Sequence, residues 1–187
     1  MEWHGDQYAA FLTYAALEPI DGFVPDDFQS AISVLPREGL QQVARSLTQA
    51  LEGAGEQRED YWRNRLRPFW QNVWPKSRGL ASVSIAESLA HLCIAARGEF
   101  LSALTSVLDW LQPVENPDYV VHLLYESGLS TLFPSSALDL LAAVIGNQPW
   151  PPRELRSRLK AITQSSPKLL EDRRYRRLDE YAQRHGV

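Results

Sequence analysis

Cysteine, histidine and long apolar runs are scarce in this chain of 187 residues, and each scarcity excludes a class of protein. The single cysteine, Cys93, can form no internal disulfide, which argues against a disulfide-stapled extracellular domain. Four scattered histidines, without a C-x-x-C or H-x-x-x-H pair, provide no zinc motif. No apolar run reaches the ~20 residues of a membrane span, and the N-terminus lacks a signal-like apolar stretch. We therefore expect a cytoplasmic protein with no membrane segment, metal or cofactor.

Catalytic motifs are missing as well. No G-x-S-x-G elbow occurs, and Gly53-Ala54-Gly55 lacks both the rest of a phosphate-binding fingerprint and a preceding strand. Cys93 falls in an apolar helical stripe, which predicts a small buried side chain rather than a nucleophile. His91 lies on a different face of the same predicted helix. We expect no catalytic residue, with a nuclease-type toxin as an alternative.

Charge is unevenly distributed around a net value of −4. Residues 1–60 contain 11 acidic and 3 basic side chains, whereas residues 153–187 contain 5 acidic and 10 basic ones. The overall sign argues against non-specific nucleic-acid binding, but the basic C-terminal region leaves a local nucleic-acid contact open.

Apolar side chains recur at helical spacing, and no segment has a clean strand pattern. The best strand candidate, Tyr119–Leu124, follows Asn116-Pro117 and precedes Gly128, which are start and stop signals of a helix. Four apolar stripes are predicted to face a core. They are Leu40/Val43/Leu47/Ala50/Leu51, Ile85/Leu89/Leu92/Cys93/Ala96, Phe100/Leu101/Leu104/Val107/Leu108/Leu111 and Leu138/Leu141/Val144/Ile145.

These patterns predict an all-α fold of about nine or ten antiparallel helices, arranged as a HEAT-like array or an irregular helical bundle. The predicted helices cover 6–18, 25–34, 37–53, 56–74, 79–97, 99–111, 117–127, 135–146, 152–164 and 170–185. Pro68 lies inside the fourth of them and is expected to kink or split it. We expect a single domain over 1–187, with a possible internal boundary at 149–152.

The segment 61–78 combines three tryptophans with five basic residues. Helical spacing puts one apolar stripe on the core side: Trp62, Leu66, Phe69 and Val73. The next stripe mixes guanidinium groups with indoles: Arg63, Arg67, Trp70 and Trp74. Arginine and tryptophan are enriched at protein-interface hot spots, and the same mixture suits single-stranded nucleic acid. We predict that this second stripe binds a protein partner, with internal packing and nucleic-acid binding as alternatives.

The last predicted helix carries a run of arginines beside a narrow apolar seam of Tyr175, Leu178 and Ala182. Such a run usually forms a solvated face. It also offers a possible nucleic-acid contact, formed by Arg173, Arg174, Arg176 and Arg177.

Several segments together resemble the helical C-terminal region of large bacterial proteins of uncharacterised function. Some of those proteins carry a sirtuin-like or NTPase-type N-terminal part and are associated with phage-defence loci. The resemblance covers about 55–187 and rests on the runs beginning at Tyr61, Val73, Ser84, Val107 and Tyr119. It implies a non-enzymatic adaptor module that binds a protein partner, either an effector subunit or an effector part of a longer chain. The alternative is a helical domain that binds nucleic acid through the basic segments 63–78 and 173–177.

Overall fold

The structure is a computed structural model that describes residues 5–18, 25–146 and 149–186. Every regular element of this described part is helical, so the predicted all-α class is confirmed, and the HEAT-like arrangement stays a prediction. The α-helices are α1 (Gly5–Leu17), α2 (Pro25–Ser33), α3 (Arg37–Gly53), α4 (Arg58–Tyr61), α5 (Arg67–Asn72), α6 (Val83–Ala95), α7 (Phe100–Val107), α8 (Pro117–Glu126), α9 (Leu129–Leu132), α10 (Pro134–Val144), α11 (Leu155–Ser165) and α12 (Arg173–Arg184). Short 3-10 turns cover Gly55–Gln57, Arg78–Leu80, Arg97–Glu99, Leu108–Trp110 and Pro167–Glu171.

Most observed helices lie where the capping residues of the sequence predict them. The ends of α1, α2, α3 and α8 agree with the predictions within one residue. The helix predicted over 79–97 begins only at Val83, because the Ser82 hydroxyl caps it by accepting a hydrogen bond from the Ile85 amide at 3.3 Å. The short helix α9 was not predicted. Gly128, with φ of +72°, ends α8 and starts this extra turn before Pro134 opens α10.

Helix α3 lies between α1 and α6, and α6 also packs against α7, α8 and α10. At the other end of the molecule α10, α11 and α12 pack against one another. Buried apolar side chains on both sides of the segment 149–152 belong to one cluster, and the single domain with its possible boundary stays a prediction. Pro151 and Pro152 of that segment are themselves buried.

The helix predicted over 56–74 is a composite. Helix α4 continues into a π-helical turn, Trp62–Leu66, which leads directly into α5. The Arg67 amide donates to the Trp62 carbonyl five residues earlier, which is the hydrogen bond that defines a π turn. Pro68 lies in the first turn of α5, where its missing N–H is tolerated. The helix therefore continues past Pro68, with one extra residue in the π turn, and is not broken.

Candidate protein-interaction surface

The apolar stripe predicted for segment 61–78 is core. Trp62, Leu66, Phe69 and Val73 are all buried. The Trp62 indole N–H donates to the Ser102 hydroxyl at 3.1 Å, which attaches the π turn to α7. A buried indole with a satisfied N–H fixes the position of the neighbouring side chains on α5.

The prediction that Trp74 belongs to an accessible partner-binding stripe is wrong. Its side chain is 2% exposed, stacks on Trp70 with ring centroids 4.5 Å apart, and meets the edge of Trp110 at 5.3 Å. Helix α5 ends at Asn72, and the amides of Val73 and Trp74 both donate to the Phe69 carbonyl. This turn, together with the π turn before it, rotates Trp74 inward. Trp70 is half-buried and packs against the same core.

Arg63 is exposed, as predicted for the second stripe, but its guanidinium is already paired. It lies 2.9 Å from Glu99, 3.2 Å from Asp60 and 3.9 Å from Glu59. The Glu59 carboxylate in turn rests on Gly98, where a Cβ would lie 2.2 Å from a carboxylate oxygen. A side chain at 98 would have to displace only the flexible end of Glu59, and Arg97 before it adopts a φ of +53°. Arg63 therefore acts within the chain, joining the 58–63 region to the turn before α7.

Arg67 is the member of the predicted stripe that the described part of the chain leaves unpaired. It is exposed, and it lines a cleft of about 590 Å³ between α5 and α7. Arg67 and Gln71 form one wall, and Leu101 and Phe133 contribute the apolar lining. Gly98, the Glu99 side chain and three hydroxyl groups, from Ser102, Thr105 and Ser106, complete the lining.

The apolar half of this cleft was not predicted, because all the apolar residues between Phe100 and Leu111 were expected to face the core. Phe100, Leu104 and Val107 are buried, whereas Leu101 is 55% exposed and Leu108 is 41% exposed. Only part of the circumference of α7 packs against neighbouring helices, so apolar side chains on its remaining face stay exposed. The spacing of Leu101 and Leu108, seven residues apart beside the narrower buried stripe, is the signal that marks an exposed apolar face. Leu132 at the end of α9, 70% exposed and next to Phe133, adds to the exposed apolar surface.

The four arginines predicted for nucleic-acid contact divide into two pairs. Arg174 forms ion pairs with Asp139 of α10 and, at 2.6 Å, with Asp172. Arg177 donates to the Ala142 carbonyl at 2.6 Å. That carbonyl lies in the last turn of α10, where carbonyl groups lack helical partners and attract cations. Arg174 and Arg177 therefore attach α12 to α10 and are not free within the chain, and the possible nucleic-acid contact through them stays a prediction.

Arg173 and Arg176 are exposed and make no ion pair within the described residues.

The bidentate ion pair between Arg174 and Asp172 also changes the acidity of the Asp172 carboxyl. Hydrogen bonds from the Arg174 guanidinium and amide hold the pKa of Asp172 at about 2, below its usual range.

Cys93 is fully buried, and burial raises the pKa of its thiol far above the ordinary range. His91 points elsewhere, with its ring 5.0 Å from Tyr119 in an edge-on contact. No nucleophile and base are paired at this position. The described residues hold no group of three or more histidine, cysteine or acidic side chains placed to bind a metal. None of the described helices has the length and apolarity needed to cross a bilayer.

Comparison with known proteins yields little. No family model matches the chain, and no solved structure matches it. The chain is similar to the uncharacterized protein y4cA of Sinorhizobium fredii, with 28% identity over 134 residues. The match covers 68% of this chain and 11% of y4cA, so the chain spans a small part of that longer protein.

Proposed function

We propose that this chain is a non-enzymatic helical interaction module whose protein partner docks in the cleft between α5 and α7. The observation that carries the proposal is an unpaired arginine, Arg67, facing the exposed Leu101 and the partly buried Phe133 across a cleft of about 590 Å³. Arginine beside apolar anchor sites is typical of the energetic centre of an interface.

The chemistry of the cleft indicates what the partner offers. Leu101 and Phe133 suit one apolar side chain, because burying a leucine-sized group contributes about 1.5–3 kcal/mol. Arg67 suits a carboxylate beside that group, since guanidinium binds carboxylate in a bidentate geometry. The partner segment therefore carries an apolar residue with an acidic neighbour.

The similarity to one section of a much longer bacterial protein supports a role as a module that works with a larger assembly. The resemblance to helical regions of defence-associated bacterial proteins gives the same hypothesis a biological setting, in which the partner is an effector. Both points concern context. The cleft itself is the part that mutagenesis can test.

The test is affinity capture from the native lysate, with nuclease added, using wild type and the double variant Arg67→Glu plus Leu101→Glu. Both positions are exposed, so the fold should survive, and circular dichroism checks it. We expect a stoichiometric protein to be captured by wild type and by the matched control Arg173→Glu, and lost from the double variant. Equal capture by all three proteins refutes the cleft as the docking site.

A second candidate function is nucleic-acid binding, supported by the exposed and unpaired Arg173 and Arg176 near the start of α12. Phosphate contacts predict affinity that falls steeply with salt, and binding is strongest at ~50 mM salt. Absence of any DNA or RNA binding at that salt concentration removes this candidate.

A further inference from the structure

Charges of opposite sign are concentrated in two regions of the chain, and the fold keeps these regions apart. The first 36 residues contain six acidic side chains and no lysine or arginine, whereas residues 153–187 contain 10 basic and 5 acidic ones. Helix α1 packs against α2 and α3, and α12 packs against α10 and α11. The packing between the two regions runs through α3, α6 and α10, so their described parts do not neutralise each other within one molecule.

The face of α1 that the fold leaves exposed is aromatic. One row along this face follows helical spacing and consists of Gln7, Phe11, Tyr14 and Glu18, with Tyr8 beside it. The Glu18 amide still donates to the Tyr14 carbonyl at 3.0 Å, so the row continues to the end of the helix. Phe11 is 53% exposed, and the two tyrosines are each 42% exposed. Neighbouring aromatic side chains on an exposed helix face form an apolar patch of the kind that marks an interaction site.

The exposed faces of α11 and α12 carry the complementary charge. Arg156 and Lys160 lie one helical turn apart on α11, and Arg173 and Arg176 lie one turn apart on α12. All four side chains are exposed and form no ion pair with the described residues. The ion pairs within these two helices use other arginines, so these four cations are available to a partner.

Arginine on one face and tyrosine with glutamate on the other are matching chemistry. A guanidinium stacks on an aromatic ring and also pairs with a carboxylate, so Tyr14 followed by Glu18 suits the arginines of α12. The chain itself contains such a contact, because the Arg158 guanidinium lies 3.3 Å from the centre of the Tyr125 ring. Helix α1 has 13 residues and α12 has 12, so both are about 18–20 Å long and can lie alongside each other.

A second copy of the chain fits the basic face better than a nucleic acid does. The net charge of −4 opposes the approach of a phosphate backbone, and Glu180 interrupts the arginines on the exposed face of α12. A nucleic acid would also leave the aromatic face of α1 uncovered. A second copy covers both faces with one kind of contact, repeated from molecule to molecule.

We infer that the chain associates with itself head to tail, with the aromatic and acidic face of α1 in one copy docking on the basic face of α11 and α12 in the next. The two faces differ, so the contact is heterologous and joins copies into open chains or closed rings. Single helix faces are smaller than the about 800 Å² per side of a standard interface, so the association is weak and increases with protein concentration. The contact uses no residue of the cleft at Arg67, so the inference stands apart from the proposed function.

The experiment measures the weight-average mass of nuclease-treated protein by sedimentation equilibrium at concentrations up to ~1 mM, the weak end of the affinity scale. Two variants each remove one face: Tyr8→Lys plus Glu18→Lys on α1, and Arg173→Glu plus Arg176→Glu on α12. All four positions are exposed, and circular dichroism checks that each variant is folded. The matched control, Arg45→Glu, reverses one exposed charge on α3 outside both faces.

Wild type and control should increase in mass with concentration. Raising salt from ~50 to ~500 mM should weaken their association about tenfold, because salt screens exposed charges. Each face variant alone should remain a monomer. An equimolar mixture of the two variants should reach twice the monomer mass and no more, because each variant retains the face that the other has lost.

A wild type that stays monomeric over this concentration range overturns the inference. So does self-association of either face variant, loss of association in the control, or a mixture of the two variants that stays monomeric. Association of wild type only before nuclease treatment assigns the basic face to nucleic acid and overturns the inference as well. The capture experiment at Arg67 tests the proposed function separately, and its result depends on none of these outcomes.

Discussion

Two arginine-rich segments look alike in the sequence and serve different parts of the structure. In segment 61–78 the aromatic residues enter the core, Arg63 holds the turn before α7, and Arg67 faces solvent in a cleft. In α12 two of the arginines hold the structure, because Arg174 and Arg177 attach to α10. The comparison shows that an arginine run does not define a surface. Whether an arginine run is exposed depends on which helix packs beside it.

The largest expected effect is the loss of stability when a buried tryptophan of segment 61–78 is truncated. Trp74→Ala should lower the free energy of unfolding by about 3–5 kcal/mol, the usual cost of truncating a buried tryptophan. Trp70→Ala should cost less, because Trp70 is only half-buried. Urea titration followed by circular dichroism measures both. A Trp74→Ala variant as stable as wild type contradicts its place in the core.

The next effect tests the arginines of α12. Arg174→Ala should cost about 1 kcal/mol, a value reduced for partial exposure, because it leaves Asp139 and Asp172 without their common cation. Arg173→Ala, one residue away, should change stability by less than about 0.5 kcal/mol. Equal costs from the two substitutions in urea titrations argue against the division of α12 into paired and unpaired arginines.

A smaller, pH-dependent effect belongs to Asp172. Its folded-state pKa of about 2 lies below the ordinary value of 3.8, so its ionised form stabilises the fold at pH above that ordinary value. This contribution is lost as pH falls through the folded-state value. In Asp172→Asn the side-chain oxygen can still cap α12, so only the ionic part disappears. The stability difference between wild type and variant should be full above pH ~4 and shrink towards pH ~2. A difference that stays constant over this range contradicts the ionic assignment.

The smallest effects concern the unpaired arginines. Arg67→Ala and Arg176→Ala should each leave the free energy of unfolding within about 0.5 kcal/mol of wild type. The two variants should differ in binding, because only Arg67 lines the cleft. If Arg67→Ala destabilises the chain as much as Arg174→Ala does, Arg67 has a structural role and the comparison loses its main contrast.

Helices were predictable wherever capping chemistry and a narrow apolar stripe agreed. Helix α3 has both its predicted ends, and Cys93 is buried as its stripe indicated. Two features lay outside the reach of a helical wheel. Helix α5 ends at Asn72, so Trp74 lies beyond the helix on which the wheel placed it, and its burial was not predicted. Pairing across the chain, such as Arg174 with Asp139, depends on which helices meet and leaves no local signal.

A cavity of about 260 Å³ between α3 and α6 illustrates the same limit with polar residues. Gln41, Arg45 and Gln49 look like an ordinary solvated face, and so do Ser84 and Glu87. Only the packing of α3 against α6 brings the two faces together. Sequence patterns identify the faces, and tertiary structure decides which of them share a site.

The π turn at Trp62–Leu66 has a genetic consequence. A π turn holds one residue more than the α-helical turn that could replace it, so it is equivalent to a one-codon insertion. Removing a single codon there would let an α-helical turn replace the π turn, and the helix on either side would keep its orientation. The same deletion within α5 would instead rotate the residues beyond it by about 100°, the angular step of an α-helix. The π turn is therefore the place where related chains are expected to differ in length by one residue and still present Arg67 to the cleft.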